Sequence, residues 1–425
     1  MATSHVTSRA VVLCLTALAG ETGLARAETV TASATTIVSG QRDPRDGTVR
    51  TVVPFLELVS LRASDIKSSL FDDTQIVVSG WGEVVAGSPR DGKSTLGDVD
   101  VAYVQGSTWN RSVTLRLGRQ FVFPGTAANV QLDGLAPTLR VRGGFGLSGF
   151  VGVPVTPRFG YSRGQFATGG RAFWSRSYES ELGVSILEIL GTGRHVSRRD
   201  AGVDARYRLL DSLALSGLVR WSIPEARMAE ADAAINWRPC RYVDVTGDYR
   251  RTAPDLFLPR YSLFTVFAQE TRDEFGGFVS VRPWPRRLDL QGDFHEVRDA
   301  NGWGWTGGGK ATLRIGRSGA TRVGVESRRL KIPGAGYLMG RAFGWRTITT
   351  KIRVVADFDA YDLDQPLNAQ KRSFFGSGSL VYDVAPAWRA VLTGMANMTP
   401  YASHQIEGLL KVVYDGGRVV KEVTP

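Results

Sequence analysis

Between residues 212 and 250 apolar and polar residues alternate three times in succession. Leu213, Leu215, Val219 and Trp221 alternate with Ala214, Ser216 and Arg220. Ala229, Ala231, Ala233, Ile235 and Trp237 then alternate with Glu230, Asp232, Ala234 and Asn236. Val243, Val245 and Tyr249 finally alternate with Asp244, Thr246, Asp248 and Arg250. A period of two is a β-strand with one apolar and one polar face. A soluble sandwich would cover the apolar face with a second sheet. Here full charges occupy the other face strand after strand, and no helical layer follows. That is the pattern of a membrane barrel, apolar toward lipid and polar toward an aqueous lumen.

Strand-like segments of about ten to fourteen residues recur from near residue 30 to near 414, the range of tilted spanning strands. Thr29–Val38 and Leu135–Val141 are the weakest of them. Connections alternate in length. Leu210-Asp211, Arg238 to Cys240, Pro283 to Arg286, Gly316 to Ala320 and Val384 to Ala387 are short, whereas 191–198, 253–273, 331–336 and 362–373 are long. Short periplasmic turns and longer external loops behave this way in bacterial barrels. The expected fold is all-β: a transmembrane antiparallel up-and-down β-barrel with an even strand number, about 18–22.

Mean hydropathy is −0.10, a value a barrel shares with soluble proteins because its two faces cancel. No apolar run after residue 27 reaches the ~18 residues of a spanning helix. The first 27 residues read as a cleaved secretory leader. Arg9 is the basic start, Ala10 to Ala19 the apolar core, and Ala25-Arg26-Ala27 the cleavage site. The expected layout is therefore leader 1–27, one barrel 28–414 and a periplasmic tail 415–425. Cys14 lies inside the leader core, so Cys240 alone remains and no internal disulfide can form. Lys plus Arg total 52 against 41 Asp plus Glu, a net charge of +11. An exported basic β-protein meets anionic lipid head groups or lines a pore rather than binding nucleic acid.

The polar face of each strand is expected to point into the lumen. It carries Arg116, Arg206, Arg208, Arg220, Glu230, Asp232, Asp244, Asp248, Arg250 and Arg282. It also carries Asp289, Asp293, Arg314, Arg322, Glu326, Arg328, Arg353, Asp357, Asp359 and Arg389. An Arg or Lys facing hydrocarbon at mid-bilayer costs about 2–4 kcal/mol, so these groups must line water or pair. The Arg excess leans toward anionic solutes. Loop 253–273 is too apolar to sit in water, so it either pairs as an extra hairpin or folds inward as the first candidate constriction, through Phe257, Tyr261, Phe264 and Phe267. The stretch 122–134 is the second.

Trp221, Trp237, Trp284, Trp303, Trp305, Trp345 and Trp388 fall near strand ends, as interfacial girdles require. Ile406, Gly408, Leu410, Val412 and Tyr414 form the outward face of the last strand. That strand resembles the closing strand that outer-membrane assembly machinery recognises, although eleven residues follow it. Leu115-Arg116-Leu117-Gly118-Arg119-Gln120, followed by Leu132-Asp133-Gly134, resembles a pattern in porin-type barrels of the alginate-export kind. The likeness covers about twenty residues plus the repeating-strand layout. It implies an outer-membrane channel: an exporter of an acidic or neutral exopolysaccharide or, since barrels of this type include them, an ordinary nutrient porin, with any periplasmic export scaffold a separate protein.

Signals for catalysis and cofactors are poor. His195, His295 and His404 are scattered, and no serine sits in a nucleophile context. His295 shares its face with Asp293 and Asp289, which is the basis of a hydrolase alternative. Carboxylates do not cluster at metal-ligand spacing. Gly307-Gly308-Gly309-Lys310 lacks the phosphate-loop spacing. The expectation is a Sec-exported outer-membrane channel for hydrophilic solutes, with no cofactor, no metal and no enzymatic activity. Its rivals are a non-conducting structural or adhesive barrel, a barrel hydrolase, and a soluble β-solenoid or sandwich.

Overall fold

The computed structural model describes residues 29–45, 48–66, 70–86, 94–123, 125–127, 129–156, 160–161, 165–177, 180–191, 196–256, 270–316, 320–400 and 402–419. Almost all of them are strand. The order begins β1 Thr29–Arg45, β2 Thr48–Ser64, β3 Asp73–Ala86, β4 Thr95–Thr108, β5 Val113–Val122, β6 Val130–Arg140, β7 Phe145–Thr156 and β8 Gly160–Tyr161. It continues β9 Phe166–Ser177, β10 Ser180–Leu190, β11 Val196–Leu210, β12 Leu213–Ser222, β13 Arg227–Cys240, β14 Val243–Thr252 and β15 Arg272–Trp284. It ends β16 Leu288–Asp299, β17 Gly302–Ile315, β18 Thr321–Ile332, β19 Ala335–Thr347, β20 Ile352–Leu367, β21 Gln370–Ala385, β22 Trp388–Thr399 and β23 Ala402–Val419.

Each strand pairs antiparallel with its neighbours in sequence, and β1 pairs with both β2 and β23. The two-residue β8 pairs only with β7, so β7 passes directly to β9 in the wall. The result is a closed, 22-strand up-and-down barrel. Closure leaves no edge, which is the condition for strands to cross hydrocarbon. The strand number stands at the top of the range the sequence suggests.

Several boundaries differ from those expectations. β6 starts at Val130, five residues before the predicted segment, and so takes up the last five residues of the second candidate constriction. β23 runs to Val419 rather than ending at Tyr414, because Asp415, Gly416 and Gly417 keep their pairing with β1. The connections 331–336 and 362–373 are not long loops. β18 and β19 meet at Pro333-Gly334, with Gly334 at φ +74°. β20 and β21 meet at Asn368 and Ala369, both at positive φ (48° and 64°), the signature of a two-residue hairpin turn. Polar residues such as Asp362, Asp364 and Arg372 look like loop by composition, yet they carry strands beyond the apolar band. Arg329 grips Asp364 with two hydrogen bonds of 2.7 and 2.8 Å in that extension. The leader 1–27, His195 and the constriction candidates Phe257, Tyr261, Phe264 and Phe267 lie outside the described residues, as does the side chain of His404.

Directly paired residues share a face, so the register divides the barrel into two surfaces. One carries the exposed Leu215, Val219, Trp221, Ile235, Trp237, Val279 and Phe275. Trp237, Trp284 and Trp388 mark one end of this apolar face and Trp221, Trp303 and Trp305 the other. Trp388 packs against Tyr414 at 4.9 Å. Trp345 departs from the girdle: it pairs with Arg322 and stands on the charged face. Glu57 also departs, lying on the apolar face where it accepts a hydrogen bond from Thr36.

Candidate functional site

Following the pairings around the barrel puts all twenty charged candidates on one face. Arg220 faces Glu230 and Asp232 faces Arg250. The ladder continues from Asp248 through Gly276 to His295, and from Lys310 through Glu326 and Arg341 to Asp359. Arg116 joins the same face from the other direction, through Ala136 of β6. The face is not charged throughout. Across β2 and β3 it presents Leu56, Leu58 and Trp81 between the charged Arg62 and Glu83, so apolar side chains share the face there.

Most of these charges are paired across strands. Arg220 meets Glu230 at 3.0 Å, Arg250 meets Asp232 at 3.1 Å, and Arg282 meets Asp244 at 2.7 Å. Arg328 reaches Asp293 at 2.8 Å and Arg389 reaches Asp383 at 2.6 Å. Arg341, absent from the sequence-based set, bonds Asp357 and lies 3.6 Å from Asp359 and 3.8 Å from Glu326. Its phase-mates Tyr337, Met339, Phe343 and Trp345 read as an apolar face in the sequence, so only the pairing with Glu326 and Asp359 assigns it to the charged one. Arg116 instead donates to Gln105 at 2.9 Å and covers the ring of Tyr103 at 4.6 Å. Among the described residues Arg206, Arg314, Arg322 and Arg353 have no carboxylate partner.

A cavity of about 660 Å³ opens on this face between β10 and β16. Its walls include Glu181, Asp204, Asp232, Asp248 and Glu274 against Arg206, Arg250 and His295. The acids are matched by neighbours: Arg171 binds both Glu181 and Asp204, and Arg272 binds Glu274 at 2.6 Å. His295 Nε2 lies 3.0 Å from Asp248. Asp293, which shares its face, is bonded by Arg328 at 2.8 Å, and Asp289 accepts from Ser280 at 3.4 Å.

The second constriction candidate is a hairpin docked on the charged face. Pairing of β4 with β5 stops at Ala102 and Arg119, whereas β4 stays paired with β3 as far as Thr95. The end of β5 therefore leaves β4. The bend occurs at Gly118, at φ +123°, where a Cβ would lie 2.2 Å from the Ala102 carbonyl. Gly118, Gly134 and Gly152 align across three strands. Arg119 spans the gap. It donates to both Asp133 oxygens at 2.9 and 3.1 Å, to Asp98 at 3.2 Å and to the Val99 carbonyl at 2.9 Å. Gln120, fully buried, donates to the Gly134 carbonyl at 3.1 Å.

Beyond this hinge the hairpin lies over β7, β9, β10 and β11. Val122, Ala127, Val130 and Leu132 pack with Phe150, Ala167 and Leu187 into a small dry core. The Ala127 amide donates to the Ser185 hydroxyl at 3.1 Å, and Thr126 donates to Asp204 at 3.2 Å. Burying apolar side chains on a polar wall gives the hairpin its adhesion. The residues of the quoted Gly-Arg-Gln and Leu-Asp-Gly motif are thus the hinge, the clamp and part of the core.

No family model matches the chain, and no curated protein matches it. Among solved structures it is similar to the P pilus usher (PapC) translocation pore, at 10% identity over 92% of this chain and 100% of that one, with TM-score 0.49. It is also similar to Pseudomonas aeruginosa OpdK with vanillate, at 10% identity over 92% and 98%, TM-score 0.44. Acinetobacter baumannii OccAB1 matches at 12% identity over 92% and 96%, TM-score 0.43.

Proposed function

We propose that the protein is an outer-membrane channel in which the charged face lines a water-filled lumen. One observation carries this reading: a closed barrel with ion pairs on one face and exposed aliphatic and Trp side chains on the other. Turning the charges toward lipid would cost about 2–4 kcal/mol for each Arg or Lys at mid-bilayer. Hydrocarbon therefore takes the apolar face. Barrel diameter grows with strand number, so a barrel of 22 strands has a lumen wide enough for water and for a plug, and the hairpin 118–134 narrows it.

The solute is hydrophilic. An exopolysaccharide cargo is supported by the motif around Gly118 and Asp133 alone, and a clean deletion with unchanged surface polysaccharide would remove it. Sec export, insertion by the barrel assembly machinery and a separate periplasmic scaffold belong to the same proposal. Conductance of the folded protein in a planar bilayer tests the channel itself. A barrel that inserts and never conducts would be the structural rival instead.

A further inference from the structure

Arg314 and Arg322 stand directly opposite each other on β17 and β18. Like charges in that position repel. The next partner in the ladder is Trp345, and Arg353 lies two residues before Val355, the partner of Trp345 on β20. The Arg322 guanidinium sits 5.9 Å from the centre of the Trp345 ring and that of Arg353 5.7 Å. Two guanidiniums therefore flank one indole, with Arg314 beside Arg322 on the next strand, and none of the three has a carboxylate partner among the described residues. Of the neighbouring acids, Asp357 and Asp359 are engaged with Arg341 and Asp383 with Arg389, and Asp289, on the strand beside Arg314, accepts a hydrogen bond from Ser280 at 3.4 Å. The Arg322 Nε is buried and has no hydrogen-bond partner.

We infer that Arg314, Arg322 and Arg353 form a subsite for an oxyanion, a carboxylate or phosphate group of a soluble ligand, at one mouth of the barrel. The mouth is the one at which β1 begins and β23 ends. Stacking on an indole fixes a guanidinium plane and leaves N–H edges free. Those edges match carboxylate and phosphate geometry with two parallel hydrogen bonds. A bound anion also relieves the repulsion between Arg314 and Arg322. Elsewhere on the charged face most cations already have carboxylate partners, so this cluster is where an incoming anion finds donors in numbers.

The inference rests on the reading of the charged face as solvated, yet its test needs no transport. Citrate binding is measured by calorimetry on the full barrel in lipid-free non-ionic micelles at low salt. Saturable binding is expected, weakened about tenfold or more by Arg322→Gln with Arg353→Gln and within twofold of wild type in Arg206→Gln. Folding of each variant is checked by heat-modifiable migration on gels. Arg314→Gln gives a second readout: without citrate its unfolding temperature is equal to or above wild type, and citrate raises it less. Non-saturable binding, or equal binding by the double variant, overturns the assignment. Loss of citrate binding on adding phosphatidylglycerol would give the donors to a lipid head group and overturn the soluble-ligand reading. Citrate binding without conductance would sink the channel and leave the subsite standing.

Discussion

Arg119 and Asp133 face each other across the β5–β6 hairpin and are joined by two hydrogen bonds, of 2.9 and 3.1 Å. The same guanidinium bonds the backbone and side chain of β4 where β5 has left it. One side chain thus closes the seam in the wall and holds the docked hairpin.

Removing that clamp should loosen the hairpin before it unfolds the barrel. Arg119 is 14% exposed and its partners Asp98 and Asp133 are 24% and 29% exposed. Breaking a buried pair by removing one partner costs about 3–5 kcal/mol, and partial exposure puts Arg119→Ala below that range. Hydrogen exchange should quicken in residues 119–132 and stay unchanged in β18–β20. Arg119→Lys should recover only part of the protection, because an ammonium cannot hold both Asp133 oxygens with a planar fork. Unchanged protection in Arg119→Ala would show that the clamp is dispensable.

The hinge makes a second prediction. A side chain at Gly118 meets the Ala102 carbonyl and a left-handed backbone, a strain of about 1–3 kcal/mol before any clash. Gly118→Ala should lower the temperature at which the heat-modified band appears. Gly378→Ala, with nothing within 4 Å of its Cβ, should leave it in place. Equal shifts in both would remove the special role of the hinge.

The dry core is testable through Leu132, which is fully buried against the wall. Leu132→Ala leaves a cavity, at a cost of about 2–5 kcal/mol concentrated in the hairpin. Limited proteolysis should then cut near 123–129 while the barrel stays intact. An unchanged digestion pattern would mean that the packing contributes little to docking.

The two-face assignment can be checked one residue apart. Leu215→Arg places a cation on the apolar face and should destabilise the inserted barrel by about 2–4 kcal/mol. Ser216→Arg places it on the charged face and should cost far less. Denaturation in lipid vesicles measures both, and equal losses would contradict the assignment.

Much of the wall was legible because alternation survives in the chain: the triplet 213–250 became β12, β13 and β14 almost as read. The same periodicity separated Arg220 and Asp232 from Val219 and Ala231. What failed was inference from composition. Polar residues around 362–373 look like loop, but backbone pairing does not need apolar side chains, so β20 and β21 continue through them. The pair Arg341–Asp357 was legible only in half: Asp357 obeys the polar period of β20, but Arg341 is in phase with Met339, Phe343 and Trp345 and reads as part of an apolar face. The arginine cluster around Trp345 was hidden by reading every strand-end Trp as interfacial. Only the register shows which face that indole occupies. The docking of 122–134 depends on contacts some 60 to 80 residues away, at Ser185 and Asp204, and no local pattern reports those.

Single-channel recording in planar bilayers tests the central claim, that the charged face is a water-filled path narrowed by the hairpin. The folded protein should give discrete conductance steps, and Arg119→Ala should give larger or noisier ones. Folded, inserted protein that leaves the bilayer sealed in both forms would contradict it.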